Sequence, residues 1–284
     1  MTRPTLAPHQ LPTCRSCSFH EGLPQLIGAM DVPGFLANVD TLLHRLVPFD
    51  QSCVFLYPRN RLPRLLHDNL QGISEPGVME RYLTGTYLLD PVHSACESRM
   101  NAGLYRMEDL APDAFFQGEY FNSPEVHPCI SLSSGSLCEE IVFLSPLAND
   151  TYAAYSLIRA NGSMAFSVED MALLQRCQPI LEALFQQHYR LTLPSANAWP
   201  KAPGILDHLG AALSRFATGC LTPREQDIVG YILKGHSSLS IALHLEIAEG
   251  TVKNHRKSLY RKLGISSQSE LFHLFVNQLL QERP

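Results

Sequence analysis

Between Leu221 and Gly264 the chain sets helix start and stop signals so close together that only short helices fit between them. Thr222 with Glu225 three residues on makes a capping box, and Pro223 stands at the first helical position, so a helix is expected to begin there and run to about Lys234. Gly235 ends it. A second helix follows at about 238–245, with Leu239, Ala242, Leu243 and Leu245 as apolar contacts. The turn EIAEG then leads into a third helix that starts near Glu249 and stops at Gly264. A last helix, roughly 267–281, carries Leu271, Leu274, Phe275 and Leu279. Four short helices with a tight turn between the second and third describe a helix-turn-helix, in which the third lies in the DNA major groove.

Charge supports that reading. The stretch EGTVKNHRKSLYRKLG, residues 249–264, gathers Lys253, Arg256, Lys257, Arg261 and Lys262 in a chain of net charge -5. Residues 216–284 hold eight Lys/Arg against six Asp/Glu, whereas the first 215 hold fourteen against twenty-one. Successive helical residues advance by about 100°, so Lys253, Asn254, Lys257 and Arg261 share one face while Val252, Leu259 and Leu263 share another. The first face suits a polyanion and the second a core.

The motif residues resemble the DNA-binding domain of LuxR-type transcriptional regulators. They are Leu221-Thr222-x-Arg224-Glu225, Gly235, Ile241-Ala242, Thr251-Val252-Lys253-x-His255 and Lys262-Leu263-Gly264. The resemblance implies Lys253, Asn254 and Lys257 toward the groove, Thr251 and Arg261 toward the DNA backbone, and a dimerising last helix. Departures stand at Ser238, Leu239 and Ser240, where the family often has Asn-Lys-Glu, and at Gln268, where Arg is common.

Upstream, helices before and after a short antiparallel sheet are expected. Phe35, Leu36, Val39, Leu42, Leu43 and Leu46 fall at helical spacing, and a second helix is read over GVMERYLTGTYLL, closed by Asp90-Pro91, with a third at 92–100. Strands are read at 52–57, 129–133, 139–147 and 152–160, the last two joined by an Ala148-Asn149-Asp150 turn. A long helix capped by Ser167 and Asp170 follows, with Pro179 inside it. The expected fold class is an α+β sensor, an antiparallel sheet with helices packed on it, plus an all-α four-helix helix-turn-helix domain. The expected divisions are an irregular arm at 1–30, a sensor at 31–190, a linker at 191–219 and the DNA-binding domain at 220–284.

All five lysines lie from Lys201 onward, so the first 200 residues cannot supply the lysine of a phosphate-binding loop or of a phosphorylatable receiver. Among the modules such regulators carry, the remaining resemblance is to GAF-like or acyl-homoserine-lactone-binding sensors. RYLTGTYLLDPVHSA is similar to the autoinducer-binding pattern at its Asp-Pro, where the resemblance implies an aspartate bonded to a ligand amide. The tryptophan and tyrosine of that pattern are replaced by Gly77 and Arg81, which favours a metabolite other than a lactone. Tyr82, Tyr87, Asp90, Phe115, Phe116, Tyr120 and Phe121 could line an aromatic pocket with one carboxylate, suited to an amine or amide. Tyr82, Tyr87 and Asp90 could equally be core, with Asp90 capping the chain before Pro91, and core is the favoured reading for the other four.

Eight cysteines in apolar stretches suit buried thiols of a reducing compartment. The Cys14-x-x-Cys17 pair with His20 lacks a second pair for a zinc site, and no local motif marks a cysteine nucleophile. No cofactor, metal or enzymatic activity is expected. The N-terminus carries no signal-like apolar run, and no segment reaches membrane-spanning length, so a cytoplasmic protein is expected. The expected partners are double-stranded DNA, a small-molecule effector, a second copy of the chain and, for an activator, RNA polymerase, with no membrane. Control by a protein partner without a small ligand, or by an acyl-homoserine lactone, are the alternatives.

Overall fold

The computed structural model describes residues 15–59, 61–70, 77–117, 138–192, 212, 215, 216 and 219–281. The strand expected at 129–133, Tyr120 and Phe121, and most of the expected linker lie outside the described residues.

Among the described residues five antiparallel strands form one sheet: β1 (Gln51–Pro58), β2 (Arg64–Asp68), β3 (Gly103–Arg106), β4 (Glu139–Leu147) and β5 (Thr151–Arg159), in the order β2-β1-β5-β4-β3. The β4–β5 hairpin turns through Asn149 and Asp150 at φ 59° and 51°, the left-handed pair that matches strand twist. Every residue of β1 is buried, and alternation sends its side chains to two different cores. Val54 and Leu56 pack with α1 (Arg15–Gly28), α2 (Phe35–Leu46) and the long α6 (Val168–Thr192). Cys53, Phe55 and Tyr57 face α3 (Val78–Thr84), α4 (Pro91–Glu97) and α5 (Met107–Leu110). Helices therefore cover both faces of the sheet, and the expected antiparallel sheet with helices packed on it is the observed architecture.

In the N-terminal part the structure departs from expectation in three places. Within the arm expected to be irregular, residues 15–28 form α1: Phe19, Gly22 and Leu26 make one stripe, with Phe19 and Leu26 buried and Gly22 lying directly on Leu42 of α2. Gly22 and Pro24 dilute that stripe in the sequence. The helix expected over 77–89 is divided at Gly85 into α3 and a single 3-10 turn, Thr86–Leu89. The edge strands β2 and β3 stand in stretches where no strand is expected, because they are five and four residues long and only half-buried.

A buried carboxylate ties α2 to the sheet. Asp40 accepts hydrogen bonds from Ser52 of β1 and Tyr155 of β5, and lies 2.9 Å from His67 Nε2 of β2. At the start of α6, Ser167 and Asp170 exchange reciprocal bonds at 3.0 and 3.1 Å, the expected capping pair, and the helix continues through Pro179.

The C-terminal part consists of α7 (Pro223–Leu233), α8 (Ser238–Leu245), α9 (Glu249–Leu263) and α10 (Gln268–Gln281). Ile228, Ile232, Ile241, Val252, Leu259, Leu271 and Phe275 form its core. Gly235 and Gly264 adopt φ +89° and +70°, the left-handed values that stop α7 and α9. Leu239 and Leu243, expected as inward contacts of α8, are instead 57 % and 73 % exposed, because Ile241 and Ala242 take the buried face. Among the described residues no helix is long and apolar enough to cross a membrane.

Candidate nucleic-acid interface and sensor cluster

The α9 helix presents the basic face that its sequence requires. Val252 and Leu259 are fully buried beneath it, while Thr251, Lys253, Asn254, Lys257 and Arg261 are all exposed. Lys253 Nζ rests 2.7 Å from Glu249 Oε1 one turn earlier, an exposed pair worth less than about 1 kcal/mol and easily opened by a phosphate. The other two cations of the segment are used inside the domain. Arg256 donates to Ser238 of α8 and Gln268 of α10 at 3.2 and 3.3 Å, fastening the recognition helix to its neighbours. Lys262 donates to Glu225 Oε2 at 2.6 Å. Composition alone could not separate these from Lys253, Lys257 and Arg261, since only the packing of α7 and α8 against α9 supplies their partners.

Glu225 is the hinge pin of this arrangement. Its carboxylate closes the Thr222 capping box, with the Thr222 N–H 2.8 Å away, and at 3 % exposure it also receives Lys262. Burial pushes its pKa up, but Lys262, the Thr222 N–H and hydroxyl, and the Ser258 hydroxyl outweigh that and hold it near 2, against an ordinary 4.5. A depressed carboxyl stabilises the fold at pH above its unfolded value and loses that contribution as pH falls from about 4.5 toward 2. Glu225→Gln is therefore expected to cost about 2 kcal/mol at pH 7, with the gap to wild type closing below pH 4; denaturant melts of the full chain at pH 7 and pH 3.5 check it. Arg224, also in the opening motif, donates to the Leu245 carbonyl at 2.8 Å and satisfies the end of α8.

The sensor candidates fall into two places. Tyr82, Tyr87 and Asp90 lie together beneath the sheet, all at 3 % exposure or less. Asp90 Oδ2 accepts from the Tyr82 hydroxyl at 2.6 Å, and Oδ1 accepts from the Val92 N–H at 2.8 Å, capping α4. The Tyr82 hydroxyl has a single proton, committed to Asp90, so Tyr57, at 2.5 Å, must donate into it. The chain thus runs Tyr57 to Tyr82 to Asp90. Burial, with the Asp90 charge adding to it, raises the Tyr57 pKa well above its ordinary value and keeps the phenol protonated. His93, which no sequence motif singles out, packs its ring edge-on against Tyr87 with centroids 4.8 Å apart. Burial lowers its pKa to about 4 despite nearby Asp90, with Lys234 lowering it further.

Phe115 and Phe116 do not join this cluster. Phe115 is 1 % exposed in the core of the helix-turn-helix domain, and Phe116 is 38 % exposed. A separate cleft of about 550 Å³ lies where α2 and the start of α6 meet, lined by His44, Phe49, Asp50 and Arg159 among others. Arg159 there is bonded to Pro48, Met164, Ala165 and Asp170, a structural role. Among the described residues no group of three or more His, Cys, Asp or Glu is placed to hold a metal. Cys53, Cys96 and Cys177 are buried thiols, while Cys138 and Cys220 are exposed.

The C-terminal part is thus a short-helix domain with a solvated basic helix, and the N-terminal part an antiparallel sheet covered by helices on both faces. Residues 220–275 match the family of bacterial regulatory proteins, luxR family, so this C-terminal segment carries a domain of that family. Over 194 residues it is 29 % identical to a putative HTH-type transcriptional regulator of Aeromonas salmonicida, covering 67 % of this chain and 95 % of that one. Over 68 residues it is 41 % identical to the transcriptional regulatory protein MctR of Rhizobium johnstonii, 24 % of this chain and 32 % of that one. In structure it is similar to the LBD domain of VqsR from Pseudomonas aeruginosa, with TM-score 0.52 and 24 % identity over 62 % of this chain and 98 % of that one. That likeness gives the fold of the N-terminal part.

Proposed function

We propose that this regulator binds operator DNA as a homodimer in the cytoplasm through Thr251, Lys253, Asn254, Lys257 and Arg261, under the control of a small molecule received by the N-terminal domain. The observation that carries the DNA half is the exposed basic face of α9 over a buried Val252–Leu259 seam, with Arg256 and Lys262 bonded to neighbouring helices instead. The divisions this reading uses are a sensor over 31–190, a linker over 191–219 and a DNA-binding domain over 220–284.

The Tyr57–Tyr82–Asp90 chain supports the sensing half. An effector carrying an amide or ammonium group would replace the Tyr82 hydroxyl on Asp90 with a charge-assisted bond, and the rings of Tyr82, Tyr87 and Phe55 would cover its apolar part. Gly77 and Arg81 stand where lactone receptors carry aromatic residues, which favours a metabolite outside the lactones. Control by a protein partner is the second reading, favoured by the internal satisfaction of Asp90 by Tyr82 and Val92.

A thermal-shift screen of the full chain against amines, amino-acid amides and acyl lactones separates these readings. An effector at one hundred times its Kd stabilises the native state by about 2.7 kcal/mol, a rise of several degrees. An amine or amide hit that Asp90→Asn abolishes supports the metabolite reading. A lactone hit moves the ligand class, and silence across all three classes favours the protein partner.

A further inference from the structure

We infer that Gln51 and Glu140 form a second polar subsite on the sensor face of the sheet, and that the effector is an elongated amine with a donor group at each end, a linear diamine or polyamine. The other end of such a molecule would sit on Asp90, so the subsite rests on the sensing reading above. β1 pairs with β5 without a register shift from Gln51 to Pro58, and its side chains alternate between the two faces. Cys53, Phe55 and Tyr57 belong to the sensor core, which puts Gln51 on the same face. Gln51 is 4 % exposed, and its Oε1 is buried with no hydrogen-bond partner among the described residues. No other buried side-chain nitrogen or oxygen among the described residues is left in that state. Buried polar atoms are nearly always paired, and one without a donor costs stability, so Oε1 marks a place where a donor arrives from outside the fold.

The register of the sheet brings a carboxyl group to the same row. Gln51 and Glu140 both stand opposite Ile158, one from β1 and the other from β4. Val142 and Leu144 of β4 lie in the sensor core, so alternation turns Glu140 to that face too, and it is 3 % exposed. Glu140 has a partner of its own. A carboxylate can accept about four hydrogen bonds, so it can take a ligand donor beside that partner. The two backbones flank Ile158 at about 10 Å, two strand spacings, and a single donor group above Ile158 can meet both side chains.

Charge and spacing select the ligand. On this face β1, β5 and β4 contribute no Lys, Arg or His. His93, which packs against Tyr57 and Tyr87, is held neutral by burial. Acceptors therefore stand at two places on the face, Asp90 at one and Gln51 with Glu140 at the other. A cation at each offsets the cost of burying a carboxyl. Phe55 and Tyr57, which meet Tyr82 by ring contact and by hydroxyl, lie four and six residues along β1 from Gln51, roughly 13–20 Å at the rise of a strand. A short amine cannot reach both places, whereas a chain of spermidine or spermine length can. The rows between are built on small side chains, Cys53 paired with Ser156 and then Ala154 beside Phe55, over which an extended chain can lie.

The test is calorimetric titration of the full chain with spermidine and with octylamine, the second probing the Asp90 end alone. Spermidine is expected to bind wild type at least about tenfold more tightly than octylamine, the worth of one charge-assisted hydrogen bond. Glu140→Gln and Gln51→Met should each weaken spermidine by about tenfold while moving octylamine by less than about twofold. Asp90→Asn should weaken both amines. Gln51→Met also has a readout without ligand: removal of a buried acceptor that has no donor should leave the melting temperature unchanged or raise it. A fall of several degrees would show that Oε1 serves the fold and would overturn the subsite. Equal affinity for the two amines, or spermidine binding indifferent to Gln51→Met and Glu140→Gln, would also overturn it; if Asp90→Asn still weakens both, the sensing reading stands. If neither amine binds, the amine class falls and the subsite with it, and the amide and lactone arms of the thermal-shift screen then decide the sensing reading separately.

Discussion

Replacing Lys253 and Lys257 together with alanine is expected to weaken binding to a selected duplex by at least about a hundredfold at 0.15 M salt. Both side chains stand on the exposed face of α9, and neither is needed by the fold: Lys253 meets only Glu249 across a solvated turn, and the buried seam is carried by Val252 and Leu259. The slope of log affinity against log salt is expected to become shallower by about two, one for each lost phosphate contact. Melting of the domain should move by less than about 0.5 kcal/mol, since exposed substitutions away from caps and packing seldom do more. Arg256→Ala is the informative contrast. Its guanidinium holds α8 and α10, so it should lower stability as well as affinity.

The second large effect is expected at Asp90. Asp90→Ala removes the cap of α4 and takes away the carboxylate to which the Tyr82 hydroxyl, less than 2 % exposed, donates at the end of the Tyr57–Tyr82 chain. The cap is worth about 1 kcal/mol and the loss of that buried bond about 1–3 kcal/mol, so a loss of about 3 kcal/mol is expected. Tyr82→Phe breaks the same chain from the other side, and the double variant should fall short of the sum of the two. Urea titration of the four proteins measures the coupling. Additive losses would mean that Asp90 and Tyr82 do not act as one unit.

How much of this was legible depended on how local the physics is. The helix-turn-helix could be read to within a residue or two because its signals are side chains acting on their own backbone: Thr222 and Glu225 at one end of α7, Gly235 at the other, Gly264 after α9. The β4–β5 hairpin was legible for the same reason. What the sequence hides is which surface a residue meets. Phe115 and Tyr87 are both aromatics near the sensor sheet in sequence, yet one completes the helix-turn-helix core and the other the sensor core. Lys262 and Lys257 carry the same charge on the same helix, yet only Lys262 comes within reach of Glu225. Leu239 and Leu243 fit a helical stripe, and only the placement of α7 and α9 determines that Ile241 and Ala242 occupy the buried side. The edge strands escaped notice because a strand of four or five half-buried residues carries too little alternation to stand out.

The most direct test of the account is selection of duplexes by the full chain from a random-sequence library, followed by titration of the enriched pool. The expected result is an enriched motif of two inverted half-sites with centres about one helical turn apart, bound by wild type and lost with Lys253→Ala and Lys257→Ala. A pool that stays random, or an enriched motif bound equally well by the double variant, would contradict it.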